Sequence, residues 1–307
     1  AFTIMRYFGS PNVGGNLPGF SAGPQLHDIA AVQRLYGANV NTRVGDTIYG
    51  FNSNTGLAHY SISSASQGVV FAIWDGGGND TLDLSGYSEN ADIDLREESH
   101  SSAGPTPDNG PATFNMSIAR GAVIENAIGG AGADTLTGND VANRLEGRAG
   151  ADTLIGGLGT DTLDGGLDAD ILRGGAGNDL YLIDNIGDVA VEAFNEGVDT
   201  AFSSVSFTLG TYVEKLVLTG AAVRGTGNSL NNRINGNASD NRLEGFGAND
   251  ILESFAGNDA LDGGLGGDQM IGGLGNDLYY VDNVGDIVAE LLDQGVDSVI
   301  SFVSYTL

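Results

Sequence analysis

Over more than a third of this chain, apolar side chains recur once every nine residues rather than at the helical spacing of three to four. Leu136, Leu145, Leu154, Leu163, Leu172 and Tyr181 form one series, and Ile234, Leu243, Leu252, Leu261, Met270 and Tyr279 form another. Each stands between two mostly polar residues, which predicts a strand of three residues whose middle side chain faces a core. The six residues between successive strands are rich in glycine and read as turns. Each series lies in an uninterrupted run of six nine-residue repeats, 129–182 and 227–280.

The repeats follow Gly-Gly-x-Gly-x-Asp-x-apolar-x, as in GGAGADTLT, GGLGTDTLD and GGAGNDLYL. Turns of this kind direct their carbonyls inward, and two repeats close one coil with loops on alternate sides. Each loop then stacks on the next but one, and aspartates eighteen residues apart become neighbours. The pairs predicted are Asp134/Asp152, Asp152/Asp170 and Asp161/Asp179, then Asp250/Asp268 and Asp259/Asp277. Gaps so rich in oxygen suit a hard cation with six to eight ligands, and calcium accepts mixed carbonyl and carboxylate geometry better than magnesium. The repeat resembles the calcium-binding RTX nonapeptide, which implies a parallel β-roll.

Asn143, Asn232 and Asn241 stand where aspartate is expected and offer an amide oxygen without charge, so fewer ions than gaps are expected. Asp168, Ala248, Leu230 and Ser239 replace the fourth glycine, which is unfavourable wherever that turn needs positive φ.

Charge strengthens the metal reading. Forty acidic residues against twelve basic ones give a net charge of −28, and fifty of the 307 residues are glycine. One inward apolar side chain per nine residues cannot by itself offset chain entropy and self-repulsion. Metal binding then becomes folding energy, and the chain is expected to be unfolded at low cytosolic calcium and folded outside the cell. There is no cysteine, so metal sites replace disulfides as staples. No apolar run is long enough to span a membrane, no signal peptide is evident and no basic patch favours nucleic acid.

A longer repeat overlies the short one: GGAGNDLYLIDNIGDVAVEAFNEGVDTAFSSVSFTL begins at Gly174, and GGLGNDLYYVDNVGDIVAELLDQGVDSVISFVSYTL begins at Gly272. The intervening 183–226 reads as a strand-forming spacer whose Asp184, Asp188, Glu192 and Asp199 are expected to be solvated. Upstream, a helix is predicted from Pro24 to Tyr36, with Leu26, Ile29, Ala30, Val32 and Leu35 mainly on one face and Gly37 ending it. Residues 41–128 alternate, as in VVFAIW, and read as a β-sandwich with a Ser/Pro-rich loop near Ser101 to Pro111.

Five segments, AFTIMRYF, PQLHDIAAVQRLYGAN, TRVGDTIYGFNSNTG, FAIWDGGGNDTLDLSGYS and VIENAIGGAGADTLTGN, closely resemble the serralysin metalloproteases in order and spacing. The resemblance covers about residues 1–182, and the remainder resembles multi-roll RTX proteins more generally. It implies that Met5 is the Met-turn methionine beneath a catalytic zinc and that Tyr7 is the tyrosine that can ligate zinc and steady the oxyanion. The zinc helix H-E-x-x-H-x-x-G-x-x-H is absent from this sequence, and the resemblance places it upstream of Ala1. His27, His59 and His100 lack metal spacing and receive no catalytic role. The resemblance also implies calcium sites ahead of the rolls. One uses backbone oxygens of Arg43, Gly45 and Thr47 with Asp75, Gly77 and Asp80; another uses Gly78, Asp80, Val123 and Glu125. Val123 stands where the family often has threonine.

The organisation expected is a protease-domain remnant (1–40), a β-sandwich leading into the roll (41–128), a first roll (129–182) and a spacer (183–226). A second roll (227–282) and the start of another spacer (283–307) follow. Three classes of function fit. The first is a calcium-binding folding and secretion module of a serralysin-like zinc endopeptidase, secreted by a bacterium through type I machinery and acting on protein substrates. The second is an RTX adhesion or surface protein, and the third a non-protease RTX enzyme such as an epimerase or lipase. The Met-turn segment favours the first, and no Gly-x-Ser-x-Gly elbow supports a lipase. This chain alone is not expected to hydrolyse peptides.

Overall fold

The computed structural model describes residues 25–105 and 111–306; Met5 and Tyr7 lie outside them. The fold is mainly β, a parallel β-solenoid with one α-helix among the described residues. It divides into two compact units, one ending at Asp170 and one beginning at Ile171.

In the first unit the helix runs Leu26–Tyr36. The Asp28 carboxylate accepts the Gln25 N–H at 3.1 Å, satisfying a donor at the start. Gly37, at φ +82°, ends the helix. Only Ile29 of the apolar face is buried, against Ala72 and Ala119 with Leu26 and Trp74 beside it. Val32 and Leu35 are exposed, at 56% and 74%.

Beyond the helix the chain steps between two parallel ladders. One holds, in order, Ile48–Gly50, Thr81–Asp83, Asn126–Ile128, Arg144–Ala149 and Thr162–Leu167. The other holds Asp92–Asp94, Thr135–Thr137 and Thr153–Leu158. The segment read as a β-sandwich is therefore largely built into the ladders. A small mixed sheet of Phe71–Ile73, Met116–Ile118 and His100–Ser101 accompanies it.

Register sets the later chemistry. Leu136 pairs with Leu154 and Leu145 with Leu163, so two repeats do make one coil. All four leucines are fully buried, one per repeat. Arg144–Ala149, Thr153–Leu158 and Thr162–Leu167 outrun the expected three residues, and between the first and last of these pairing continues through Gly166↔Arg148 and Leu167↔Ala149.

The second unit repeats the design. One ladder runs Leu180–Ile183, Thr200–Ser203, Lys215–Leu218, Arg233–Asn235, Ile251–Glu253, Gln269–Ile271 and Ile287–Val288. Another runs Phe207–Thr208, Arg224–Thr226, Arg242–Glu244, Ala260–Asp262, Leu278–Val281 and Ser298–Ser301. Ile171–Ala176 pairs with Val189–Val191. The spacer belongs to the stack, with turns of other lengths: Asp179 bonds Asp199 twenty residues on, and Asp199 bonds Glu214 fifteen on.

Of the residues replacing the fourth glycine, Asp168 and Ala248 take positive φ, +78° and +77°, whereas Leu230 and Ser239 do not. The second position was not foreseen as special, yet Arg148, Phe246 and Phe255 also lie at positive φ there.

Candidate calcium sites

Each aspartate loop presents its carboxylate to the loop before it. The backbone N–H of Asp134 donates to Asp152 Oδ1 at 2.7 Å, and that of Asp152 to Asp170 Oδ1 at 2.7 Å. In the second unit, Asp250 donates to Asp268 Oδ1 at 2.7 Å and Asp259 to Asp277 Oδ1 at 2.8 Å. The structure thus brings together these four predicted pairs, each eighteen residues apart. Asp161 and Asp179 fall in different units; each is buried within its own.

The second carboxylate oxygen carries the chemistry. Oδ2 of Asp152, Asp250, Asp259, Asp268 and Asp277 is buried with no hydrogen-bond partner, and no ion pair among the described residues involves these five. A buried carboxylate oxygen without a donor is costly unless protonated or bound by a cation. Burial pushes Asp152 and Asp250 up to about 7 despite the backbone N–H each accepts. Asp268 and Asp277 rise to about 6 for the same reason. Asp134 differs, since its two oxygens accept N–H groups of Ala91 and Gly130, both at 2.6 Å.

Two further clusters close the repeat runs. Asp179, Glu192 and Asp199 place one carboxylate oxygen each within 4.8 Å of one another, and so do Asp277, Glu290 and Asp297. Tyr181 donates its hydroxyl to Glu192, and Tyr279 donates to Glu290. Sequence reading placed Asp188, Glu192 and Asp199 in solvent; the structure corrects this, with exposures of 6%, 8% and 1%. They are buried because the spacer coils onto the stack rather than looping out. Glu192 Oε2 and Asp199 Oδ2 have no partner, and burial, with Asp199 and Asp179 nearby, drives Glu192 up to about 9. The signal was present in the two long copies, which share Asp-x-Tyr followed by a glutamate and Gly-Val-Asp.

Ahead of the repeats, several of the residues implied by resemblance lie together. Asp80 Oδ1 accepts the Thr47 N–H at 2.8 Å, Asp75 Oδ1 accepts the Gly77 N–H at 2.8 Å, and Glu125 Oε2 accepts the Asp80 N–H at 2.8 Å. Asp80 Oδ2 is buried and unpartnered, and burial raises Asp80 to about 7. Gly78, at φ +142°, leaves no room for a side chain, since a Cβ would lie 2.7 Å from the Gly45 carbonyl. Asp75 Oδ2 instead accepts the Tyr49 hydroxyl at 2.5 Å and lies 3.8 Å from Arg43 Nε. Val123 is 41% exposed.

The histidines form no metal site among the described residues. His27 is exposed on the helix, His59 lies against Tyr60 with ring centroids 4.2 Å apart, and His100 faces Phe114. Neither carboxylate cluster includes one, so these residues do not fit a zinc centre of the kind implied by the Met-turn segment.

A solenoid of glycine-aspartate coils with buried, unpaired carboxylate oxygens is the architecture of an RTX-type repeat protein. The profile of the family described as peptidase M10 serralysin C terminal matches residues 38–303, and the chain belongs to that family. It is 52% identical to serralysin C of Dickeya chrysanthemi over 136 residues, 44% of this chain and 27% of that protein. Metallopeptidase AprA of Pseudomonas marginalis is 49% identical over 144 residues, 45% of this chain and 29% of that protein. Serralysin of Proteus mirabilis is 48% identical over 140 residues, 45% of this chain and 27% of that protein. The matches thus span less than a third of these relatives' length. No helix among the described residues is long and apolar enough to cross a membrane.

Proposed function

We propose that this chain is a calcium-binding RTX module that folds on extracellular calcium and supports the secretion and stability of a serralysin-like zinc endopeptidase. The observation that carries the calcium reading is the row of buried, unpartnered carboxylate oxygens at Asp152, Asp250, Asp259, Asp268 and Asp277. Calcium would be held there, at Asp134, Asp161, Asp170 and Asp179, and at the two clusters containing Glu192 and Glu290. Ahead of the rolls it would be held by Arg43, Gly45, Thr47, Asp75, Gly77, Gly78, Asp80, Val123 and Glu125, the non-acidic members through their carbonyls. Bound, the ion neutralises facing carboxylates and ties each loop to its neighbour.

The names of the relatives, serralysin and metallopeptidase, support a zinc protease as the parent. Met5 and Tyr7 are its implied trace here, and protein substrates and type I secretion follow from the same likeness. The test is equilibrium dialysis of the purified chain with calcium and with magnesium, alongside far-UV circular dichroism. Several calcium ions bound with a gain of β signal supports the module; no bound calcium overturns it.

A further inference from the structure

Three loops break the aspartate rule in the same way. Asn139 and Asn143, Asn228 and Asn232, and Asn237 and Asn241 occupy the second and sixth positions of their repeats. The sixth-position asparagines are buried, at 3%, 3% and 2% exposure. Each accepts on Oδ1 the N–H of its second-position partner, at 2.7 Å in all three loops. That backbone donor fixes which end of the amide is oxygen, so the NH2 end must face the neighbouring loop.

There it meets carbonyls. Asn143 Nδ2 donates to Glu125 O at 3.0 Å, and Asn139 Nδ2 to Ile124 O at 2.8 Å. Asn228 Nδ2 donates to Gly210 O at 2.7 Å and Val213 O at 2.8 Å, with Asn232 Nδ2 3.2 Å from Val213 O. Asn237 Nδ2 donates to Ala222 O at 2.7 Å, with Asn241 Nδ2 3.4 Å from the same oxygen. An aspartate in the sixth position would point a carboxylate oxygen at these carbonyls, an arrangement that calls for a cation. The amide supplies hydrogens instead.

The backbone changes to match. Arg148, Phe246 and Phe255 in aspartate loops have positive φ at the second position, but Asn139, Asn228 and Asn237 do not. Each second-position amide oxygen instead accepts the N–H two residues on, from Val141, Leu230 and Ser239, which is an Asx turn.

We propose that the Asn-x-x-x-Asn pair is a cation-free closure: these three gaps take no ion, and the leading coil or coils of each run stay joined to the preceding segment without calcium. This rests on the calcium reading of the aspartate gaps. It corrects the expectation that the asparagines offer only an oxygen to the gap, and gives each run a metal-independent starting coil.

The test uses the full chain. Hydrogen exchange in excess chelator is expected to be slower across 209–243 than across 245–280; equal rates overturn the inference. Asn228→Gly with Asn232→Asp is expected to raise the calcium count in equilibrium dialysis by one and abolish the slow exchange in chelator. An unchanged count overturns it. Should that variant fail to fold, Phe246→Asn with Asp250→Asn makes the reverse exchange and is expected to lower the count by at least one, with an unchanged count again overturning the closure. A wild type that binds no calcium defeats the calcium reading and this inference together; a calcium-binding wild type whose variants keep its count defeats only the inference.

Discussion

Asp134 and Asp152 are joined across one coil by the Asp134 N–H on Asp152 Oδ1 at 2.7 Å, while the other oxygen of Asp152 is buried without a partner. One oxygen therefore builds the stack, and the other is the ligand atom proposed for calcium. That division of labour between two atoms of one carboxylate recurs at Asp250, Asp259, Asp268 and Asp277.

Removal of calcium is expected to abolish most of the far-UV β signal, reversibly. Each site holding calcium at about one hundred times its dissociation constant adds about 2.7 kcal/mol to the folded state. Retention of the full signal in excess chelator contradicts metal-coupled folding.

The metal-free fold is expected to lose stability as pH rises. Asp152 and Asp250 sit at about 7, and Asp268 and Asp277 at about 6, against about 3.9 for an unfolded aspartate. Between about pH 4 and 7 the fold holds more protons than the unfolded chain, so its stability declines across that window. With calcium the order inverts, because protons compete for the same oxygens and affinity falls as pH drops from 7 to 6. Calcium titrations at pH 8 and 5.5, with chelated melts at both, check both signs.

Leu163→Ala removes a side chain with no exposed surface and is expected to cost about 2–5 kcal/mol in saturating calcium. Leu167→Ala, 65% exposed, is expected to fall within about 0.5 kcal/mol of wild type. Denaturant melts compare them, and similar costs contradict a core of one side chain per repeat.

Ala248→Gly relieves a β-carbon held at φ +77° and is expected to raise stability by about 0.5–1 kcal/mol. Ser239→Gly, at the same position of a loop without positive φ, is expected to give no gain. A gain at both positions contradicts the assignment of strain to Ala248 alone.

Much of the solenoid was legible because its period is written in single residues. The nine-residue spacing of Leu136 to Tyr181 fixes which side chains face inward, and the eighteen-residue spacing of the aspartates follows from two repeats per coil. The spacer was harder to read. Glu192 and Asp199 carry no apolar periodicity, and their burial depends on a twenty-residue turn that returns Asp199 beside Asp179. The helix was legible as a helix, but Val32 and Leu35 show that an apolar face does not guarantee a covering surface.

By itself the sequence determined the parallel coil, its core leucines and four of the aspartate pairs, because a strict repeat sets one register for the coils that keep it. Only the tertiary structure decided which oxygens remain unpaired, which acidic residues of the spacer are buried, and which end of each asparagine amide faces the next loop. Those outcomes depend on hydrogen bonds between loops far apart in sequence, and a carboxylate or amide acquires its role only when the opposite loop presents a donor or an acceptor.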